Sequence, residues 1–336
     1  MKLLVFIVLS LSLIACHSNK TKEIVCSEHE KELIALLDSI GGLDKDKLVE
    51  KILLEPDSVL NSQTDLNITL SDKDFELLKK AVAKKQISTA DAVRIFPDFK
   101  RPKNFLEEEN FIELYSFDED TTTFQQFAII LNDFGMTENE IYFFQGKKLI
   151  AKHHVDYRYT LHLEHFKDEN GKTVIYYPVN FMSGTDIWWF QSNFYRYENE
   201  KLTPVLTELS ISNFVPSFSI RSFELEAQVV NTNPLKMKFI YHSKFDYKTE
   251  WKKFVSSLTT VTYKLDNQTS KYVADFSNTD FDKYKLLSFS LADNDLLFVS
   301  AYHVELKEWL TGKDPIKREV IFDFLKELRK RINENS

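Results

Sequence analysis

The spacing of apolar residues changes near residue 110, and this change divides the chain into a helical part and a β part. Before residue 110, apolar residues recur at three- and four-residue intervals, which is the period of a helix with one buried face. The first such stripe ends at the glycine pair Gly41-Gly42, a typical helix stop. Serines followed by acidic residues predict two later helix starts. We expect helices at Leu33–Ile40, at Leu43–Leu54, after Ser71 and after Ser88.

From about residue 111, apolar and polar residues alternate, which is the period of a strand with one buried face. The clearest case is Lys152–Phe166, with apolar residues mostly at odd positions and polar residues at even positions. Turn sequences such as Asp168-Glu-Asn-Gly171 separate the strands at regular intervals. We therefore expect an antiparallel meander, folded as a sandwich or as a strongly curved sheet. The predicted strands are 124–131, 140–145, 152–166, 173–181, 186–197, 201–208, 218–230, 235–243, 258–266, 271–276, 285–291 and 296–300.

The C-terminal segment returns to the helical period. Helices are expected at Val304–Leu310 and at Ile316–Ile332, and the second has one continuous apolar face. We expect this amphipathic helix to cap the sheet; a helix on a membrane surface or against a partner protein is the alternative. The predicted fold is α+β, with a small helical region at 30–102 and a large antiparallel β domain with C-terminal helices at 103–336.

The first sixteen residues follow neither period. Lys2 precedes the apolar run Leu3–Ile14, which only Ser10 and Ser12 interrupt. A transmembrane helix needs about 20 apolar residues, so this run has the length of the hydrophobic part of a signal peptide. It ends in Leu13-Ile14-Ala15-Cys16, which resembles the lipobox of bacterial lipoproteins. An ordinary signal peptide that happens to end near a cysteine is the alternative.

The lipobox resemblance implies cleavage of the signal peptide 1–15 and attachment of diacylglycerol and an N-acyl chain such as palmitate to Cys16. Two or three acyl chains, at about 0.8 kcal/mol per buried CH₂ group, form a stable membrane anchor. Residues 16–29 are then the lipidated cysteine and a polar tether. In enterobacterial lipoproteins, aspartate directly after the cysteine retains the protein in the inner membrane; His17 stands at this position, which favours the outer membrane. Surface-exported lipoproteins of Bacteroidota have an acidic patch behind the cysteine. The lack of such a patch here favours the periplasmic side of the bacterial cell envelope over the cell surface.

Composition and charge narrow the choice of partners. The formal net charge of −8 is spread along the chain, whereas nucleic-acid binding requires a basic stripe. With 7 glycines and no glycine-rich phosphate motif, the chain does not resemble a nucleotide-binding protein, and we predict no cofactor. Once Cys16 carries lipid, Cys26 is the only remaining thiol, so no internal disulfide can form.

Four histidines, His153, His154, His162 and His165, fall on the longest predicted strand. His162 and Glu164 would share one strand face about 7 Å apart, and a ligand from a neighbouring strand could complete a metal site. A solvated polar strand face is the preferred interpretation, and we predict neither a metal site nor a catalytic residue. The segment 168–171 is interpreted as a plain turn, because most ligand positions of a calcium loop are missing.

The densest aromatic run, between residues 188 and 197, is the predicted ligand or partner surface. One face of this strand must be core, while the other could stack on sugar rings or anchor a protein partner. Glycine in the preceding loop leaves room for close approach of a ligand. The candidate surface residues are Gly184, Asp186, Trp188, Trp189 and Tyr195.

Four segments, His165–Tyr177, Gly184–Trp188, Phe194–Leu202 and Leu291–Phe298, resemble large uncharacterised lipoproteins of Bacteroidota. That resemblance implies no particular activity. We therefore expect a membrane-anchored envelope lipoprotein with a non-catalytic binding or scaffolding role, whose partner is a protein or a glycan of the envelope. The alternatives are a carbohydrate-binding or carbohydrate-processing protein, and an inhibitor or immunity-type protein against an envelope toxin.

Overall fold

The computed structural model describes residues 27–53, 61–99, 109–131, 138–156, 159–182, 187–214, 220–248, 250–290 and 295–334. The helices in these ranges are α1 Glu28–Gly41, α2 Lys45–Leu53, α3 Asp72–Lys84, α4 Thr89–Ile95, α5 Lys283–Ser290, α6 Asp295–Ala301, α7 His303–Thr311 and α8 Pro315–Glu334. The strands are β1 Asn61–Thr69, β2 Gln86–Ser88, β3 Glu109–Ser116, β4 Gln126–Leu131, β5 Glu138–Gln145, β6 Lys148–Asp156, β7 Glu164–Lys167, β8 Thr173–Met182, β9 Ile187–Glu198, β10 Lys201–Phe214, β11 Arg221–Thr232, β12 Leu235–Tyr247, β13 Glu250–Asp266 and β14 Lys271–Asp275.

The strands form two antiparallel sheets, so the predicted α+β class is confirmed. One sheet has six strands in the order β1-β6-β5-β4-β3-β2, and the other has eight in the order β14-β13-β12-β11-β10-β9-β8-β7. The larger sheet is a meander throughout, as the regular turn spacing predicted. Two of its tight turns use a left-handed backbone: Gly171 has a φ of 69°, and Asn199 and Glu200 have φ values of 50° and 60°.

The first hydrophobic core lies between the two sheets. Strand alternation turns Ile130 of β4, Ile141 of β5 and Val155 of β6 toward Ile175 and Tyr195 of the larger sheet, and all five are almost fully buried. This layer makes part of the fold a β-sandwich.

The second core covers the outer face of the six-stranded sheet. Helices α3 and α4 begin at the predicted serines, where the Ser71 and Ser88 hydroxyls accept hydrogen bonds from the backbone N–H groups of Asp74 and Asp91. Phe75 and Leu78 of α3 then pack with Phe127 and Phe144 of the sheet, whose two rings are stacked 4.8 Å apart.

The third and largest core fills the concave face of the eight-stranded sheet. This sheet curves until its two edge strands approach each other, with the rings of Phe166 in β7 and Tyr272 in β14 only 6.5 Å apart. Helices α1, α5, α6, α7 and α8 pack onto the concave face. The apolar face of α8, including Val320, Phe324 and Leu328, caps the sheet as predicted.

The single strand predicted at Lys152–Phe166 is wrong, because the chain changes sheets within it. β6 ends at Asp156 in the six-stranded sheet, and β7 begins at Glu164 in the eight-stranded sheet. Leu161 and Leu163 in the connection are still buried between the sheets. The apolar residues therefore keep alternating through the crossover. Their alternation shows which side chains are buried, and it does not show which strand the backbone pairs with.

The hairpin predicted at 285–291 and 296–300 is also wrong, since both segments are helices. In α6, Leu297, Phe298, Val299, Ser300 and Ala301 are all buried. A short helix that is buried on every side shows no 3.6-residue period, so its sequence resembles that of a buried strand.

Strands β1 and β2 lie within the region predicted to be helical, 30–102. β1 pairs with β6, and β2 pairs with β3, so the six-stranded sheet crosses the predicted division at residue 102. The side chains of β1 are mostly exposed and polar, which is why its sequence gave no strand signal.

Candidate functional site

The loop that carries Gly184 and Asp186 lies outside the described residues. It joins β8 to β9, and the strand that follows contains both predicted tryptophans. In the backbone register, Trp188 pairs with Met182 and Asn213, and Trp189 pairs with Phe181. The side chains of the two tryptophans are outside the described part of the chain.

Tyr195 was predicted to be part of a ligand or partner surface, and the structure corrects this. Its side chain is only 6% exposed and lies in the core between the two sheets. Its ring stacks on Tyr177 at 5.7 Å and lies 4.5 Å from the His153 ring. From the sequence alone, neither face of β9 could be assigned to the core, since both carry aromatic residues.

His153 is the chemically notable group in this core. Alternation along β6 turns it inward beside Val155, where it is fully buried against the ring of Phe143. Its Nδ1 atom and the Tyr177 hydroxyl are joined by a 2.6 Å hydrogen bond. Burial lowers the pKa of His153 to about 3, so the imidazole is neutral near pH 7.

Two polar atoms of this core lack a hydrogen-bond partner among the described residues: Nε2 of His153 and Nδ2 of Asn193. Asn193 is 6% exposed, and its Oδ1 accepts a 3.0 Å hydrogen bond from the Thr207 hydroxyl. It is the direct cross-strand neighbour of Tyr177, which holds the other nitrogen of His153.

A buried ion pair lies at the predicted turn 168–171. Arg196 Nε is 2.7 Å from Asp168 Oδ2, and both side chains are almost fully buried. The other carboxylate oxygen accepts hydrogen bonds from the backbone N–H groups of Asn170 and Lys172. Asp168 therefore closes the turn, as predicted, and also neutralises a buried arginine, which turn chemistry alone did not predict.

A second buried charge cluster joins three distant elements. Asp295 of α6 accepts hydrogen bonds of 2.9 and 3.2 Å from Arg221 of β11, and Arg331 of α8 lies 2.7 Å from its other oxygen. The Arg221 guanidinium lies 4.0 Å from the centre of the Phe298 ring. This cluster was missed because the predicted hairpin placed Asp295 in a solvated turn.

The histidine and acidic residues considered for a metal site do not lie on one continuous strand. His162 lies in the crossover between the sheets and Glu164 begins β7, and both are exposed. Across the ranges described above, no three histidine, cysteine or acidic side chains come together as metal ligands.

The described surface also has a groove of about 360 Å³ between α1 and α8. It is lined by His29, Glu30 and Leu33 of α1 and by Arg318, Glu319 and Phe322 of α8. The helix α1 on one side of this groove is the first element of the described ranges.

Comparison with known proteins finds no matching protein family, no matching curated protein and no matching solved structure. Among the helices of the described ranges, none has both the length and the hydropathy of a membrane span.

Proposed function

We propose that this protein is an envelope lipoprotein, anchored by lipid on Cys16 in the outer membrane and facing the periplasm, with a non-catalytic binding or scaffolding role. The observation that carries this proposal is the apolar run Leu3–Ile14, which leads directly into Ala15-Cys16. The segment Leu13-Ile14-Ala15-Cys16 resembles the lipobox of bacterial lipoproteins, and this resemblance implies lipid attachment to the cysteine.

The start of the fold supports this proposal. α1 begins immediately after Ser27, whose hydroxyl accepts from the backbone N–H of Glu30 while the Glu30 carboxylate accepts from the backbone N–H of Ser27. This capping box fixes the N-terminal end of α1. In this proposal, residues 17–26 link the acylated cysteine to the domain.

Two groups with shifted pKa values, His153 and Asp38, are engaged in contacts within the fold. The pKa of His153 is lowered by burial, and the imidazole is enclosed by aromatic rings. The pKa of Asp38 is lowered by hydrogen bonds from Lys307 and His303, which hold α1 against α7. Both shifts are explained by contacts that stabilise the fold.

The test is lipid labelling of a Cys16→Ser variant, with Cys26→Ser as the matched control. In cells fed an alkyne-tagged fatty acid, we expect label on the wild-type protein and on Cys26→Ser, but not on Cys16→Ser. The Cys16→Ser variant should also move to the soluble fraction, because the acyl chains that hold the wild type in the membrane are missing. Label retained by Cys16→Ser, or its unchanged attachment to the membrane, would refute the proposal.

A further inference from the structure

A small polar pocket of about 130 Å³ lies at the seam between the two sheets. Two cross-strand pairs face each other there: Gln126 and Gln145 in the six-stranded sheet, and Lys167 and Thr173 in the eight-stranded sheet. Strand alternation places all four side chains on the faces that the sheets turn toward each other. Since one water molecule takes about 30 Å³ in the liquid, the pocket has room for a group of a few heavy atoms.

A chain of hydrogen bonds in the pocket determines which groups remain for a ligand. The Lys167 ammonium donates to the Thr173 hydroxyl at 2.6 Å, and this hydroxyl donates in turn to Oε1 of Gln126 in the other sheet. An ammonium has three N–H donors and an amide nitrogen has two, so Lys167 keeps two donors and Gln126 keeps both. The pocket therefore has an excess of donors, which a ligand with acceptor oxygens would satisfy.

The charges around the pocket favour an anion as that ligand. Lys167 forms no ion pair within the described ranges, so its charge is available. The acidic groups nearby are already engaged. Asp118 accepts hydrogen bonds from two backbone N–H groups at the start of β4, and Asp168 lies 2.7 Å from Arg196. Glu198 alternates onto the other face of β9, where it lies 3.7 Å from Arg196. One available ammonium matches a single negative charge.

Gln145 adds a different kind of contact. Its side chain makes no hydrogen bond within the part of the chain described, so it offers both an amide donor and a carbonyl acceptor. A hydroxyl group, which donates and accepts, suits such an amide. The pocket thus combines a position for a carboxylate, at Lys167 and Gln126, with a neighbouring position for a hydroxyl.

We infer that this pocket binds a monocarboxylate that carries hydroxyl groups beside its charge, which is the chemistry of a sugar acid. The carboxylate accepts charge-assisted hydrogen bonds from Lys167, and these are stronger than neutral ones. The inference rests on the binding role proposed above, and it does not need the lipid anchor. It places the glycan contact at the end of β9 that is far from Trp188 and Trp189.

The test is a titration of the purified full chain in detergent, followed by ligand-observed NMR. The ionic strength is held constant, because salt screens the attraction between lysine and an anion. Glucuronate has the carboxylate and the hydroxyls, acetate has only the carboxylate, glucose has only the hydroxyls, and inorganic phosphate has a higher charge. We expect glucuronate to bind several-fold more tightly than acetate or phosphate, and glucose not to bind.

Two variants assign the binding to this pocket. Lys167→Gln removes the charge of an exposed side chain and should weaken glucuronate binding by at least about tenfold. Gln145→Leu should remove the preference for glucuronate over acetate. Lys264→Gln is the matched control and should bind as wild type does, because Lys264 lies in a surface ion pair with Asp275.

No binding of glucuronate, equal binding of glucose, tighter binding of phosphate, or wild-type affinity in Lys167→Gln would each overturn the inference. These outcomes leave the lipid anchor intact, because lipid labelling of Cys16 tests the anchor separately. Failure of the labelling test would in turn leave this pocket and its ligand intact.

Discussion

At the scale of single residues, the polar groups of the inter-sheet core are the most informative feature. His153 is fully buried, and the only hydrogen bond of its side chain within the described residues joins Nδ1 to the Tyr177 hydroxyl. A neutral imidazole suits this position, because a charged one would pay a large desolvation cost without a neighbouring carboxylate. The folded state therefore binds the His153 proton far more weakly than the unfolded chain does.

This difference predicts a pH dependence of stability. The folded pKa of about 3 lies below the unfolded value of about 6.5, so the stabilisation is complete above pH 6.5 and is lost as the pH falls toward 3. Between pH 6 and 4.5, this one group should reduce the free energy of unfolding by up to about 1.4 kcal/mol per pH unit. The shallower pH dependence expected for His153→Phe can be measured by urea denaturation across this range.

His154 offers the control for this measurement, since it is the next residue along β6 and its side chain is on the other face of the strand, only partly buried. His154→Gln should retain the wild-type pH dependence. If wild type and His153→Phe showed the same pH dependence, the pKa of His153 would be the same in the folded and the unfolded chain, which contradicts the prediction.

At the scale of elements, the end of α1 packs so closely against α7 that one position of α1 has room only for glycine. A Cβ atom on Gly41 would lie 2.2 Å from Cδ2 of His303 in α7, whereas a Cβ on Gly42 would meet nothing closer than 3.6 Å. The His303 ring has little freedom to move, because its Nε2 atom is hydrogen-bonded to Asp38 of α1 at 2.9 Å. The two neighbouring glycines thus have different roles.

We predict that Gly41→Ala lowers the free energy of unfolding by about 1–3 kcal/mol, because the added methyl group displaces the His303 ring and separates α1 from α7. Gly42→Ala should leave the free energy of unfolding unchanged or raise it by up to about 1 kcal/mol. The backbone of Gly42 is in the right-handed region, which alanine adopts without strain, and alanine reduces the conformational freedom of the unfolded chain. Chemical denaturation of both variants gives the comparison, and equal effects would show that the contact with His303 is not a constraint.

The elements also show what the sequence can predict. Apolar residues at helical spacing, together with capping serines, were sufficient to predict α1, α3, α4 and α8. The alternation of apolar and polar residues was sufficient to predict most strands of the larger sheet. The sequence could not predict α6, which is buried on all sides, or β1, which is polar and exposed at a sheet edge. Both lack an amphipathic pattern, so only tertiary contacts define them.

The same limit applies to the candidate site. The aromatic content of β9 was evident, but the face occupied by Tyr195 depends on where the six-stranded sheet packs. The burial of His153 could be anticipated from its alternation with Val155, whereas the pairing of Asp295 with Arg221, 74 residues away, could not. Contacts between distant elements leave no periodic signal in the sequence.

At the scale of the whole molecule, the Asp295 cluster connects the larger sheet to the helices that fill it. One carboxylate lies between two guanidinium groups, and Arg221 is only 1% exposed. Removal of the Asp295 charge is costly, because the Arg221 guanidinium stays buried without compensation, whereas Arg331 is 39% exposed and can be solvated.

We predict that Asp295→Asn, which preserves the shape of the side chain, lowers the free energy of unfolding by about 3–5 kcal/mol. Asp275→Asn is the matched control: its ion pair with Lys264 has a similar length of 2.8 Å but lies on the surface, so its loss should matter far less. Thermal and urea denaturation would check both, and a small effect of Asp295→Asn would mean that solvent compensates the two arginines.

The packing of α1 has a consequence for the order of events when the chain is made. Its partners are the last elements of the sequence: Glu32 pairs with Arg329 at 2.8 Å, and Asp38 binds Lys307 at 2.7 Å. Contacts across almost the full chain length form late, because the intervening segment must be present first. Of the helices in the described ranges, the first to be synthesised is therefore among the last to dock. A chain interrupted before α6 has none of the three helices that contact α1, which are α6, α7 and α8, and the apolar stripe of α1 stays exposed until they are made.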